Sequence, residues 1–152
     1  MSAFQPVDLD YAARIRDSFA RQGMMGHLGA RLARIEPGVV EIELPFRTEV
    51  TQQHGLFHGG VTGAIADTAA GYAAFTLIPA DASMLTVEYK INLMAPADGE
   101  MLIATGRVVK PGRTLTICEA EVVVVKNGAR TICARGLETM IRLDGRPDRP
   151  SG

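Results

Sequence analysis

From Gly59 to Ala80 the chain carries one formal charge, Asp67, in a run made mostly of glycine, alanine and threonine. This run constrains the fold more than any other feature. Its length and alanine content favour helix over strand, and the predicted helix extends from His58 to about Leu77. Leucine and isoleucine are few, a carboxylate sits near the middle and Pro79 stands near the end. Transfer into lipid would therefore be weak, and the segment reads as a buried helix rather than a membrane span. With so few polar positions, it needs enclosure on most sides.

The rest of the chain is patterned to supply that enclosure. Residues Asp8 to Arg21 predict an amphipathic helix, with Tyr11, Ile15 and Phe19 on one stripe and Gly23 and Gly26 as its end. Ala30 to Glu36 and the alternating stretch around Val40, Ile42 and Leu44 predict a hairpin turning at Pro37-Gly38. Arg47 to Phe57 reads as a surface loop. After the long helix come four predicted strands: Ser83–Met94, Met101–Lys110, Thr114–Lys126 and Ala129–Leu143. Their turns are Asp98-Gly99, Pro111-Gly112 and Asn127-Gly128, the last being the strongest hairpin signal because a type I′ turn needs positive φ twice. These four strands are expected to form an antiparallel meander. The tail from Asp144 to Gly152 is rich in proline, glycine and charge and is expected to be loose. The class is α+β: one antiparallel sheet wrapped around one long helix, in a single domain spanning residues 1–152.

Charge and cysteine content narrow the function. Sixteen basic and 17 acidic residues give a net charge of −1, with the basic residues scattered. Neither nucleic acid nor an anionic membrane is the expected partner. Cys118 and Cys133 have no CxxC spacing and no nearby histidine, so reduced core thiols are expected and no metal. The N-terminal stretch has no basic start followed by an apolar run, and the expected location is the cytoplasm.

Asp67 carries the chemical argument. Its neighbours Ile65, Ala66, Ala69, Ala70 and Gly71 are apolar or small. An ionised carboxylate buried there without partners would cost several kcal/mol, on the order of the usual desolvation penalty. It is a structural aspartate with a hydrogen-bond partner, one that simply faces solvent, or a working carboxylate. Directly after His58, Gly59-Gly60 opens the helix, and the first N–H groups of a helix are unpaired and point toward any polarised carbonyl. The helix start is thus a candidate oxyanion site. At about 100° per residue, His58 and Asp67 point to nearly opposite sides of a helix. Gly60, Gly63, Asp67, Gly71 and Ala74 share one stripe that permits close approach by a ligand or another backbone. Two chains related by a two-fold axis could combine the helix start of one with Asp67 of the other.

The stretch QQHGLFHGGVTGAIADTAAGY, Gln52 to Tyr72, resembles the hotdog-fold acyl-CoA thioesterases of the PaaI (phenylacetic acid degradation) type. The turn Lys110-Pro111-Gly112-Arg113-Thr114 looks like that family's turn between its later strands, and the likeness covers residues 10–143. The resemblance implies a hotdog fold, a homodimer with a shared site that often pairs into a tetramer, and hydrolysis of an acyl-CoA thioester to free acid and CoA. No separate cofactor is implied, since the CoA belongs to the substrate. By position, Asp67 matches the family's general base or nucleophile, and Gly59 the backbone N–H that polarises the carbonyl. His58 matches a residue shaping the site. Gln52 stands where many members carry Asn and relatives acting on aryl thioesters often carry Gln; it would orient the water or the carboxylate. Thr86 falls where some members place a Ser or Thr near the reacting water, yet alternation puts it on the opposite sheet face from Val87 and Tyr89. Gly60, Lys110 and Arg113 are the candidate contacts for the CoA, the two cations for its phosphates. Two other functions remain open at this level: a non-catalytic acyl-CoA-binding hotdog module, and a hotdog dehydratase using His58 as base.

Overall fold

The computed structural model describes residues 4–149. Helix α1 (Tyr11–Ala20) buries Ile15 and Ser18. A second short helix, α2 (Gly23–Leu28), follows where the chain was expected to leave helix. Gly23 and Gly26 lie inside α2. The stop is Gly29, the one of the three with a left-handed φ, of 77°. Strands β1 (Arg31–Glu36) and β2 (Val39–Pro45) form the expected hairpin, and a single 3₁₀ turn at Thr48–Val50 leads toward the long helix α3 (Gly59–Phe75). Four strands follow: β3 (Ser83–Leu93), β4 (Met101–Lys110), β5 (Leu115–Lys126) and β6 (Ala129–Leu143). The β5–β6 turn has φ of 50° at Asn127 and 78° at Gly128, the positive pair a two-residue hairpin demands.

All six strands join one antiparallel sheet in the order β1-β2-β4-β5-β6-β3. The expected four-strand meander is therefore only three strands long. β3 does not pair with β4; it lies at the far edge beside β6. The segment joining β3 to β4 is a crossover rather than a hairpin turn, and backbone bonds fasten it along the way. Ala97 accepts from the Phe57 N–H at 3.1 Å and Glu100 from the Phe46 N–H at 2.8 Å. Asp98-Gly99 belongs to this crossover.

The sheet curls so that β2, β3, β4, β5 and β6 all touch α3. Close approach is possible because both surfaces are small. On the helix Ala66, Ala69, Ala70 and Ala73 are buried, and on the sheet Ala104, Gly106, Ala120 and Ala134. Gly106 of β4 crosses α3 so tightly that a Cβ there would fall 2.3 Å from the Ala69 carbonyl and the Ala70 nitrogen. Strand β5 alternates cleanly, with Thr116, Cys118, Ala120, Val122 and Val124 turned inward.

Helix α1 docks on the second half of α3. The Tyr72 hydroxyl meets Ser18 Oγ at 2.9 Å and accepts from Gln22 Nε2 at 2.9 Å, and Arg14 lies over the Phe75 ring at 4.6 Å. The described part of the tail does not hang free: Asp148 pairs with Arg21 at 3.3 Å and Arg149 with Asp17 at 3.5 Å. Residues 150–152, also expected to be loose, lie outside the described residues.

Candidate active site

The start of α3 is tied down by His58. Its backbone is extended (φ −67°, ψ 138°), and its Nδ1 accepts the Gly60 N–H at 2.8 Å, which fixes Nδ1 as the unprotonated nitrogen. The His58 carbonyl accepts from Val61 and Thr62 at 3.0 and 3.1 Å, and the His58 N–H donates to Val50 at 2.9 Å. Among the described residues this leaves the Gly59 N–H, alone in its neighbourhood, with no acceptor. It sits at the positive end of α3, in the first turn. A side chain on Gly59 would bring its Cβ to 2.7 Å from Leu93 Cδ1, so β3 packs directly against this position.

Gln52 lies beside Gly59. Both line a cavity of about 210 Å³ whose other walls include Leu56, Leu93 and Cys133. The Gln52 side-chain carbonyl accepts the His54 N–H, and its backbone N–H donates to Leu56 at 2.9 Å. The side-chain amide nitrogen has no partner among the described residues.

Asp67 lies two turns further on and half-buried. Thr86 Oγ1 donates to Asp67 Oδ1 at 2.6 Å and also lies 3.4 Å from Met140 Sδ. Simple alternation placed Thr86 on the wrong face. The register of β3 on β6 slips between Thr86 and Glu88, so Val87 is a bulge residue and Thr86 joins Tyr89, Ile91 and Leu93 on the helix side. Asp67 and Thr86 line a cleft of about 230 Å³ with Thr68, Gly71, Tyr72 and Met84. Burial raises the Tyr72 phenol above its ordinary range, while its bonds to Ser18 and Gln22 oppose the rise.

One acidic residue escapes a reading by pattern. Glu138 of β6 is 2% exposed and faces Asp67. Burial first, then the charge of Asp67, push its carboxyl up to about 8. Leu137 and Ile141, on the other face of the same strand, are apolar too, so alternation does not reveal which side is inward. The only available signal is that Glu138 is in phase with Ala134 and Met140.

The candidate residues therefore fall into separate groups. His58, Gly59, Gly60 and Gln52 gather at the helix start, and Asp67 and Thr86 meet in the second cleft. The Gly60 N–H is already taken by His58. Lys110 and Arg113 are exposed on the β4–β5 turn, and neither forms an ion pair among the described residues. The register Leu115–Ile141–Leu85 sets this turn near the Asp67 end of the sheet, away from the same chain's helix start. Cys118 and Cys133 are free and buried, and burial pushes their thiols up to about 12 and about 11, which keeps them protonated and inert at neutral pH.

A curled sheet around a helix that starts with a capped glycine pair and carries a bonded acid at its middle defines a class of enzyme. The model of the thioesterase superfamily matches residues 54–131, and the chain belongs to that superfamily. Its fold is the hotdog fold. A thioesterase family protein from Silicibacter pomeroyi, known from its crystal structure, is 44% identical, covers 89% of this chain and 99% of its own, and superposes with a TM-score of 0.87. The PaaI protein of E. coli, from the phenylacetic acid degradation operon, shares the fold at a TM-score of 0.81 and 19% identity, over 91% of this chain and 96% of its own. The proofreading thioesterase EntH of Klebsiella pneumoniae is 27% identical over 118 residues, 78% of this chain and 85% of that protein. Among the described residues no helix is long and apolar enough to cross a membrane.

Proposed function

We propose that the protein hydrolyses an acyl-CoA thioester to the free acid and CoA, in a site shared between two copies of the chain. The observation that carries this reading is the Gly59 N–H. Among the described residues the N–H groups of Phe57, His58, Gly60, Val61 and Thr62 are all bonded, while that of Gly59 is left without an acceptor at the positive end of α3. A thioester carbonyl oxygen placed there gains negative charge as the acyl carbon is attacked, which is the moment such a donor stabilises most. Asp67, held by the Thr86 hydroxyl, acts as general base on a water or as nucleophile. The C–S bond breaks as the new C–O bond forms. The sulfur leaves as the CoA thiolate and takes the proton that water gives up. His58 fixes the geometry of the N–H turn, and the free amide of Gln52 orients the water or the carboxylate. Lys110 and Arg113 meet the CoA phosphates, with the Gly60 backbone near the thioester arm.

The reading as a dimer is supported by the exposed edge of the sheet. Strand β3 leaves Leu85, Val87, Tyr89 and Leu93 at 50% exposure or more. An edge this apolar, with no strand beyond it, invites pairing with its own copy. A second copy there would bring its helix start toward the first chain's Asp67. On the outer face Leu85, Ile141 and Leu115 line up across three strands, which supports further pairing into a tetramer. Unlinked thiols at Cys118 and Cys133 suit a reducing, cytoplasmic setting.

The test is a panel of aryl and straight-chain acyl-CoA thioesters with the purified protein, following free thiol and product. Stoichiometric thiol and acid are expected. Binding without thiol release would instead make the protein a binding module, and an enoyl product would make it a dehydratase.

A further inference from the structure

Glu138 is the one carboxyl group of the described core that lies almost wholly out of water, and the mechanism above leaves it idle. Its Oε2 is buried and meets no donor. The register sets it between Tyr89 of β3 and Cys118 of β5, and Gly136 and Met140 are its neighbours on the same face of β6. Asp67 of α3 lies within hydrogen-bonding reach. Among the described residues no lysine, arginine or histidine acts on it; the charged group that does is Asp67. Two carboxyl groups this close cannot both be ionised at low cost; they share a proton.

We infer that Glu138 is a positioning residue that keeps this proton and donates it in a hydrogen bond to Asp67, so that Asp67 stays the anion and is held between the Glu138 and Thr86 hydroxyls. The proton belongs on Glu138 because Glu138 is the more buried of the two, and burial penalises its charged form more. The raised carboxyl of Glu138 is what such sharing requires. Two donors aimed at one carboxylate fix its direction toward the cleft, and a misdirected carboxylate loses rate steeply. This inference rests on the reading of Asp67 as the acting group.

Its consequences differ from those of a merely structural glutamate. Glu138 is raised in the folded protein from its ordinary 4.5 to about 8. The folded state therefore holds one more proton than the unfolded chain between those values. Stability from this group is complete below about pH 4.5 and is lost as the pH rises through about 8. Asp67, Tyr89 and Cys118 are the other titratable groups facing it.

The experiment compares the wild type with E138L, E138Q and D67N. E138L is expected to lower kcat on the order of 10- to 100-fold with KM within about twofold, since it removes the donor and not a substrate contact. E138Q, which keeps a donor but cannot ionise, is expected to recover most of that loss. It should also lack the fall in kcat expected of the wild type above about pH 8. Wild-type kcat in E138L, or an unchanged alkaline fall in E138Q, overturns the inference. A second readout needs no turnover: the thermal midpoint of each protein from about pH 5 to about pH 9. The wild type should lose several degrees more than E138Q, with D67N between the two because burial alone keeps part of the rise, and a wild-type slope equal to that of E138Q overturns the shared proton. If no thioester is hydrolysed, the functional reading fails, while these slopes still decide whether Glu138 holds the proton.

Discussion

The first turn of α3 and its middle offer a substrate different kinds of group. At the first turn the chemistry is backbone. His58 consumes the neighbouring N–H groups and one at Gly59 is left over, in a small cavity walled by Gln52 and Leu93. At the middle the chemistry is side chain. Asp67 and Thr86 line a second cleft with Tyr72 and Met84, and the buried Glu138 stands behind Asp67. A polarising donor with no acid nearby hydrolyses nothing, and neither does an acid with no carbonyl held before it. On the proposed reading, this separation is what calls for a second copy, with the helix start of one chain set before the Asp67 of the other.

The sharpest way to break this comparison uses two disabled chains. Asp67→Asn should lower kcat/KM by about 10²- to 10⁴-fold, the usual worth of a general base, with the thermal midpoint measured near neutral pH little changed. Gly59→Pro should cost about 10²- to 10³-fold, because proline is accepted at the first helical position yet lacks the N–H. The extended backbone of His58 is already the conformation that precedes proline, and a Cβ at this position meets only the tip of Leu93. Mixing the two variants under exchange should restore about a quarter of wild-type activity, since half the dimers then carry one intact site of two. No recovery on mixing would place both groups within one chain's site.

Next in size is the edge itself. Val87→Asp puts a charge in the middle of the apolar β3 edge, and sedimentation should show monomers with most of the activity gone. A fully active monomer would undo the shared site. Thr86→Val keeps the shape but removes the 2.6 Å bond to Asp67. About tenfold loss in kcat is expected, with KM steady, in single-turnover and steady-state assays. The smallest effect is at the turn. Arg113→Ala should raise KM a few-fold for CoA thioesters and leave short thioesters without a nucleotide unchanged, because an exposed cation contributes about 1 kcal/mol or less.

These differences in scale track what could be read from the chain. The long helix was legible because its alanine content and length leave no other element, and its lone aspartate stood out against that background. The Asn127-Gly128 turn and the alternation of β5 were legible for the same local reason. What periodicity does not encode is pairing between distant strands, so the placement of β3 beside β6 was invisible, and with it the apolar edge. A bulge adds one residue without changing composition, which is why Thr86 was assigned to the opposite face. Gly23 and Gly26 look like stops in sequence; α1 does end just before them, capped by Arg21, but both lie inside α2, which ends at the left-handed Gly29. Glu138 was hidden because both faces of β6 carry large apolar residues.

Gly106 carries one last consequence. Where β4 crosses α3 there is no space for even a methyl group, at Ala69 and Ala70, just behind Asp67. A rod pinned hard at its midpoint cannot slide or tilt to suit its cargo. On the proposed reading, acyl chains of different girth would be accommodated by the parts that are not pinned, the Met84 wall and the seat of α1. Variation in substrate range among engineered forms should map to those surfaces, while the fulcrum itself stays intolerant of any side chain.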